Sequence, residues 1–337
     1  MPIEVACDES GYEGEKLIGS LTDVFAHGSV LMDEDAAARC VAELRARIRS
    51  PATEYKANHL QREKHRPVLE WFLGPSAPVL GHSRVYLVDK AFFVIGRLTD
   101  VLLGESDAAL PLYRAVRQAP DRAPWQAFLA AANGLLRVKS DGDPVGAFLA
   151  ALPSAPTVDA LRAARPRAQA YRHGLPAALP GLDLLFPAIA RAVDAVGTAP
   201  VTVVHDRQKT LSPERVAVLT DRLGGRLGEL RLVGSDRDPR VQLADIVAGT
   251  VRKIAEDELA GRGDPTLTAL LRPYVDPLSV WGDERSWARL APATARFGGW
   301  VGDPWWAPAR GGAADAAPAA PPAPPAAAAG LPPSRGR

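Results

Sequence analysis

This chain has few cysteines, few aromatic residues, almost no net charge and no long apolar run. Its 337 residues include only two cysteines, Cys7 and Cys40, which are too few for a disulfide scaffold or a zinc module and fit a reducing cytoplasm. The formal net charge is +1, so no global field draws the protein to nucleic acid or to a membrane. A nucleic-acid function would therefore need local basic patches.

Targeting and membrane signals are also missing. No apolar run approaches the roughly 20 residues of a membrane-spanning helix. A cleavable signal lacks its apolar region, because acids enter as early as Glu4 and Asp8. We therefore expect a cytoplasmic protein with no membrane partner.

The length and pattern of the chain predict one α/β core interrupted by helices. Two β-rich blocks, residues 1–103 and 183–260, flank a helical insertion at 104–182 that Pro and Gly break into short pieces. Residues 261–306 read as a tryptophan-rich cover on this core. Residues 307–337 are almost entirely Ala, Pro and Gly, which predicts a disordered tail that folding does not need.

Alternating and β-branched residues predict strands that share one sheet. The expected strands lie near 2–8, 16–31 (as two extended pieces), 83–89, 200–206 and 229–233. Helical spacing and end signals predict helices between them. The clearest helices are 34–49 after Asp33, one through Leu60 and Phe72, 182–196, 213–223 after Ser212, and 240–259 after Asp238-Pro239.

Three acids occupy positions where this fold would bury them. Asp8 ends the first strand in the run Asp-Glu-Ser-Gly, and Asp206 ends a short β-branched strand. Asp245 lies about two turns inside a helix that is apolar almost all the way round, too deep to cap it. A buried carboxylate is costly unless it is paired or bound to a cation. The alternatives are a solvated acidic turn at Asp8 and a salt bridge from Asp245 to Arg207 or Arg252.

A carboxylate cluster with little cysteine or histidine suits a hard cation. Such oxygen ligands favour Mg²⁺ or Mn²⁺ over zinc. Two such ions about 4 Å apart can clamp the attacking and leaving oxygens of a phosphodiester displacement.

Four short motifs, in order, carry a resemblance to a known family. They are Asp8-Glu9-Ser10-Gly11, Glu54-Tyr55-Lys56, His205-Asp206-Arg207 and Gln242-Leu243-Ala244-Asp245. Over residues 1–103 and 183–260 the chain thereby resembles the DUF3800 family, which is considered related to the ribonuclease H-like superfamily. The resemblance implies a mixed sheet flanked by helices, and it implies catalytic and metal-binding roles for Asp8, Glu54, Asp206 and Asp245, with Glu9 or Asp89 as alternatives for one of them.

The resemblance also draws attention to basic residues near the second motif. Lys56 either neutralises a scissile phosphate or pairs structurally with the carboxylates. The following residues, Arg62, Lys64, His65 and Arg66, form either a nucleic-acid patch or a solvated helix face. His205 beside Asp206 is expected to be structural.

Two functions of different classes follow. The first is a metal-dependent phosphoryl-transfer enzyme, a nuclease that uses Mg²⁺ or Mn²⁺ and acts on nucleic acid. The second is a non-catalytic binding module of the same fold, whose carboxylates are structural. In a nuclease the acids should converge in one cleft, whereas in a binding module they should pair with arginines.

Overall fold

Five strands form one mixed sheet in the computed structural model, which describes residues 3–49, 57–175, 181–197, 200–300 and 302. The strands are β1 (Ile3–Ser10), β2 (Val24–Val30), β3 (Ser83–Asp89), β4 (Val201–Asp206) and β5 (Leu227–Val233). Their order across the sheet is β3-β2-β1-β4-β5. Strand β1 pairs antiparallel with β2 and parallel with β4, so it lies at the centre. The α/β class and the single mixed sheet are confirmed.

The prediction of two extended pieces between Lys16 and Met32 is wrong in its first half. Only β2 forms a strand there, and residues 17–22 make turns. The reason is a side chain from the insertion, because Asn133 Oδ1 accepts hydrogen bonds of 3.1 Å from both Leu17 N and Ile18 N. Those backbone groups therefore have no need of a strand partner.

The helices of the first block flank the sheet or leave it. They are α1 (Glu34–Ile48), α2 (Ala57–Leu60), α3 (Arg66–Leu73) and α4 (Lys90–Leu102). Asp33 caps α1 through Ala36 N, as expected. The single helix predicted through Leu60 and Phe72 is instead broken into α2, a 3₁₀ turn at Glu63–His65, and α3. Pro67 begins the first turn of α3, and proline has no N–H for a helix that would run through it.

In its described residues, the insertion lies outside the sheet and contains five short α-helices. They are α5 (Ala109–Gln118), α6 (Ala123–Leu136), α7 (Pro144–Ala150), α8 (Asp159–Ala163) and α9 (Arg165–His173). The remaining described helices are α10 (Leu185–Val196), α11 (Pro213–Leu223), α12 (Pro239–Leu259), α13 (Pro265–Leu271) and α14 (Glu284–Leu290). Ser212 caps α11 and Gly224 ends it in the left-handed conformation, which matches the sequence signals.

Helix α12 crosses one face of the sheet over β1 and β2. Gly28 of β2 permits this close approach, since a Cβ there would lie 2.7 Å from the carbonyl oxygen of Ala244. The α12 face also carries α1, α3, α13 and α14 in one apolar cluster. The opposite face carries α4, α10 and the insertion helices in another.

The tryptophan-rich segment does cover the core where it is described. Trp281 and Trp287 are buried in the cluster around α12, and Trp300 packs edge-on against Phe92 and Phe93. The predicted tail at 307–337 lies outside the described residues. Among the helices that the structure describes, none is long and apolar enough to cross a membrane.

Candidate functional site

Asp8 and Asp206 lie side by side at the carboxyl edge of the sheet. Strands β1 and β4 run parallel, and Cys7 is registered with His205, so the next residue of each strand is an aspartate. Asp8 is buried, with 6% of its surface exposed, and Asp206 is half-buried. Ligand sites of open α/β sheets lie at this edge.

Asp8 faces α12, the helix that carries Asp245. Asp8 is registered with Gly28, and the side-chain direction of Gly28 points at Ala244 of α12. Paired residues of neighbouring strands project to the same face, so Asp8 projects there too. Asp245 is half-buried, while its neighbours Ala244 and Ile246 are fully buried. Asp8 therefore lies on the side of the sheet that α12 covers, near enough to Asp206 and Asp245 to feel their charge.

The electrostatics confirm that these acids influence one another. The pKa of Asp8 is raised to about 9, first by burial and then by the carboxylates of Glu9, Asp245 and Asp206, in that order. A 2.7 Å hydrogen bond from the backbone N–H of Glu9 acts in the opposite direction and is weaker. Among the described residues, the strongest influences on the pKa of Asp8 are therefore burial and neighbouring carboxylates.

The other two acids differ in their immediate contacts. Asp206 Oδ1 accepts a 3.0 Å hydrogen bond from Ser235 N, in the loop that leads to α12. Arg252, one of the two arginines considered as partners for Asp245, donates to Ser10 Oγ at 2.9 Å and to Glu256 Oε2 at 2.8 Å. The other, Arg207, is exposed.

Glu9 belongs to a separate cluster on the opposite face of the sheet. Its Oε1 accepts a hydrogen bond of 2.5 Å from Gln208 Nε2, and its Oε2 lies 3.6 Å from His205 Nε2. His205 Nε2 in turn lies 3.2 Å from His27 Nε2, and both rings are almost wholly buried. Burial lowers the pKa of His27, with a further contribution from His205. We name Glu9, His27, His205 and Gln208 the histidine cluster.

Glu54 and Lys56 lie outside the described residues, but the chain just after them contacts α12. A Cβ on Gly249 would lie 2.5 Å from the Cβ of Ala57, and Gln61 Nε2 donates to Gly249 O at 3.0 Å. Gly249 follows Asp245 by one helical turn. The described chain therefore resumes at Ala57 in contact with α12, about one helical turn beyond Asp245.

The predicted basic patch is only partly available. Arg62 and Lys64 are exposed, whereas His65 is buried. Arg66 is held by Glu70 at 2.7 Å and by Asp264 at 2.5 Å. Two of the four basic residues therefore remain open to solvent for a polyanion.

The sequence does not predict the positions of two residues near this region, His27 and Asp89. His27 was not singled out, although it is the one ionisable residue of an otherwise small and apolar strand. Asp89, an alternative for one of the four acids, instead caps α4 through Phe92 N and accepts from the hydroxyl of Tyr113. It therefore belongs to a different part of the carboxyl edge.

The acids have the chemistry for a hard cation, but they are not a complete metal centre. Within the described ranges, no group of three or more His, Cys, Asp or Glu side chains is arranged to hold a metal ion. The raised pKa of Asp8 marks where a cation would relieve repulsion. Comparisons with protein-family models, curated proteins and solved structures find no match for the chain.

Proposed function

We propose that the protein is a divalent-metal-dependent phosphoryl-transfer enzyme, a nuclease of ribonuclease H-like fold. The observation that carries this proposal is that Asp8, Asp206 and Asp245 lie on the α12 side of the sheet, near enough for the other two to raise the pKa of Asp8, which is about 9. Strongly shifted carboxyl groups of this kind are common at functional sites.

The proposed ligands of Mg²⁺ or Mn²⁺ are Asp8, Asp206 and Asp245, together with Glu54. When bound, the metal supplies an activated water and stabilises charge on the phosphoryl oxygens. The chain's own contribution is position, since β1 and β4 fix two carboxylates on adjacent strands while α12 fixes the third. Ser235 N orients Asp206 by its hydrogen bond.

Exposed cations near the second motif support a polyanionic substrate. Arg62 and Lys64 are open to solvent and follow the segment that contacts α12 beside the acids. On this proposal they bind the phosphates of nucleic acid, and Lys56 lies on the reacting phosphate. Affinity should then fall with added salt.

The sheet itself supports the finer fold proposal. The resemblance implies a mixed sheet flanked by helices, with acids on the first strand, on a later central strand and on the last helix of the core. Strand β1 is central, β4 is its parallel neighbour and α12 crosses both β1 and β2. These relations agree with the positions expected for three of the four motifs, and the second motif lies outside the described residues.

One observation favours the second candidate, a non-catalytic binding module. The described acids are not arranged to hold a metal ion, as expected if they are structural. In that case Asp245 pairs with another side chain of the same protein and does not bind a cation.

A cleavage assay separates the two functions. We expect the wild-type protein to cleave at least one member of a panel of single-stranded and duplex RNA and DNA and RNA–DNA hybrid when Mg²⁺ or Mn²⁺ is added. Asp245→Asn should abolish cleavage, whereas Asp257→Asn on the same helix, which removes a partner of Lys253, should not. Failure of the whole panel with both metals would favour the binding module.

Thermal unfolding gives an independent test on the same variants. Bound metal stabilises by mass action, about 2.7 kcal/mol at a hundred times the dissociation constant. We expect Mg²⁺ to raise the melting temperature of the wild type and of Asp257→Asn, but not that of Asp245→Asn. If Asp245 is half of a buried ion pair, Asp245→Asn should instead lose about 3–5 kcal/mol of stability with no response to metal in any variant.

A further inference from the structure

A second concave site lies at the carboxyl edge of the sheet, beneath the helical insertion. It is a cavity of about 500 Å³ enclosed by the end of β3, the start of α4, helices α5 and α6, and the last residue of α12. This volume falls within the range of small-molecule sites. None of the residues assigned to the metal site lines it.

The two sites are well separated along the sheet. Asp8 is level with Gly28, and Gly28 is level with Val85 of β3. Asp89, which lines the cavity, lies four residues further along β3 and two strands away from Asp8. Strand spacing and rise then place it roughly 16 Å from Asp8, so one small ligand does not span both.

A buried lysine lies at one side of the cavity. Lys90 is 1% exposed, and its Nζ donates to Ser20 Oγ at 3.1 Å, Thr22 O at 2.8 Å and Thr22 Oγ1 at 2.8 Å. The nearest carboxylate oxygen, on Glu13, is 3.9 Å away. Neutral oxygens thus accept these three hydrogen bonds, while the carboxylates of Glu13, Glu256 and Asp23 interact with the ammonium charge at longer range.

The acid beside Lys90 is already engaged. Asp89 accepts hydrogen bonds from Phe92 N at 3.1 Å and from the Tyr113 hydroxyl. Burial raises the pKa of Asp89 to about 6. Both carboxylate oxygens of Asp89 therefore already accept hydrogen bonds from the protein.

Cationic and apolar side chains make up the rest of the wall. Arg117 and Arg122 line the cavity at the end of α5 and just before α6, beside the indole of Trp125 and the side chain of Leu129. Arg117 uses one guanidinium nitrogen to bind Leu259 O at 2.7 Å, and Arg122 is exposed. The lining therefore carries three cationic side chains, Lys90, Arg117 and Arg122, and two carboxylates, Asp23 and the already engaged Asp89.

From this combination we infer that the cavity binds a small organic anion with an apolar or aromatic body. The anionic group would lie near Arg117 and Arg122, and the body would pack on Trp125 and Leu129. Carboxylates, sulfonates and phosphate monoesters share this chemistry. The inference does not depend on the proposed nuclease activity.

A fluorescent aromatic sulfonate, 8-anilinonaphthalene-1-sulfonate, tests the inference on the full chain. We expect saturable binding at one site and displacement by benzoate or phenyl phosphate but not by benzylamine. Whichever of the two anions displaces at lower concentration identifies the preferred head group. Absence of saturable binding up to millimolar dye, or equal displacement by benzylamine, would overturn the inference.

Matched variants on α6 locate the bound dye. Ala130 is exposed and lines the cavity, whereas Ala127 is exposed on the same helix and does not. Ala130→Trp should weaken dye binding at least tenfold, and Ala127→Trp should leave it unchanged. Arg122→Gln should weaken it several-fold, with Arg114→Gln as the control. Equal binding by Ala130→Trp and Ala127→Trp would show that the dye binds elsewhere.

Discussion

Asp8 and Glu9 are neighbours in the chain, yet the two faces of the sheet treat them differently. Glu9 Oε1 accepts a hydrogen bond from Gln208, whereas its Oε2 is buried without a hydrogen bond among the described residues and lies 3.6 Å from His205 Nε2. Asp8 lies near other carboxylates, and the pKa of its own carboxyl is raised to about 9. The two adjacent acids therefore have different neighbours, an amide and an imidazole at Glu9 and further carboxylates at Asp8.

The alternation of a strand explains how one tetrapeptide can serve both faces. Successive side chains project to opposite sides, so Asp8 faces α12 and Glu9 faces the histidine cluster. On the proposed function, Asp8 binds the metal directly, whereas Glu9 holds the end of β1 in place from the opposite face of the sheet. The predictions below test this division.

The largest effect should come from removing each charge in turn and measuring cleavage. Asp8→Asn should reduce metal-dependent cleavage by more than about 100-fold, because it removes a ligand. Glu9→Gln should cost no more than the 10- to 100-fold typical of outer-shell partners. Rates are compared at saturating Mg²⁺ with circular dichroism to confirm folding. Equal losses in the two variants would mean that both faces of β1 contribute ligands.

In the metal-free protein, the free energy of unfolding should depend on pH because of Asp8. The pKa of Asp8 is about 9 when folded and about 3.9 when unfolded, so the folded state holds this proton more tightly. The stability contributed by protonated Asp8 is present in full below about pH 4 and is lost as the pH rises towards 9.

Asp8→Asn isolates that contribution. The difference in unfolding free energy, wild type minus Asp8→Asn, should fall as pH rises from 5 to 8, with a slope of at most about 1.4 kcal/mol per unit. Urea unfolding in the presence of EDTA measures it at each pH. Parallel curves for the two proteins would show that folding does not raise the pKa of Asp8.

Sequence patterns were sufficient for the α/β class, for the single sheet and for the ends of several regular elements. Strand and helix end signals such as Ser212-Pro213 and Gly224 act locally, so they were read correctly. Asp8 and Asp206 follow from strand ends, because parallel neighbours bring their carboxyl ends to one edge. These inferences need no knowledge of distant side chains.

What failed depended on distant partners. The turns at 17–22 follow from Asn133, which is more than 100 residues away, and no local propensity encodes that contact. His27 meets His205 only because β2 and β4 both flank β1, which is a matter of strand order. Pro67 indicates a break before α3, but the helical spacing of the surrounding apolar residues favours one continuous helix.

The smallest effect should come from the donor that distinguishes Glu9 from Asp8. Gln208 is half-buried and donates to Glu9 Oε1 at 2.5 Å, and a hydrogen bond to a charged group contributes about 1.5–3 kcal/mol. Gln208→Ala should therefore destabilise the protein by about 1.5 kcal/mol, the lower value because water can partly replace the amide. Lys209→Ala, at the exposed neighbouring position, should change stability by less than about 0.5 kcal/mol. In the Glu9→Gln background the effect of Gln208→Ala should shrink, since the charge that it served is gone. An undiminished effect there would mean that Gln208 stabilises the loop after β4 independently of its hydrogen bond to Glu9.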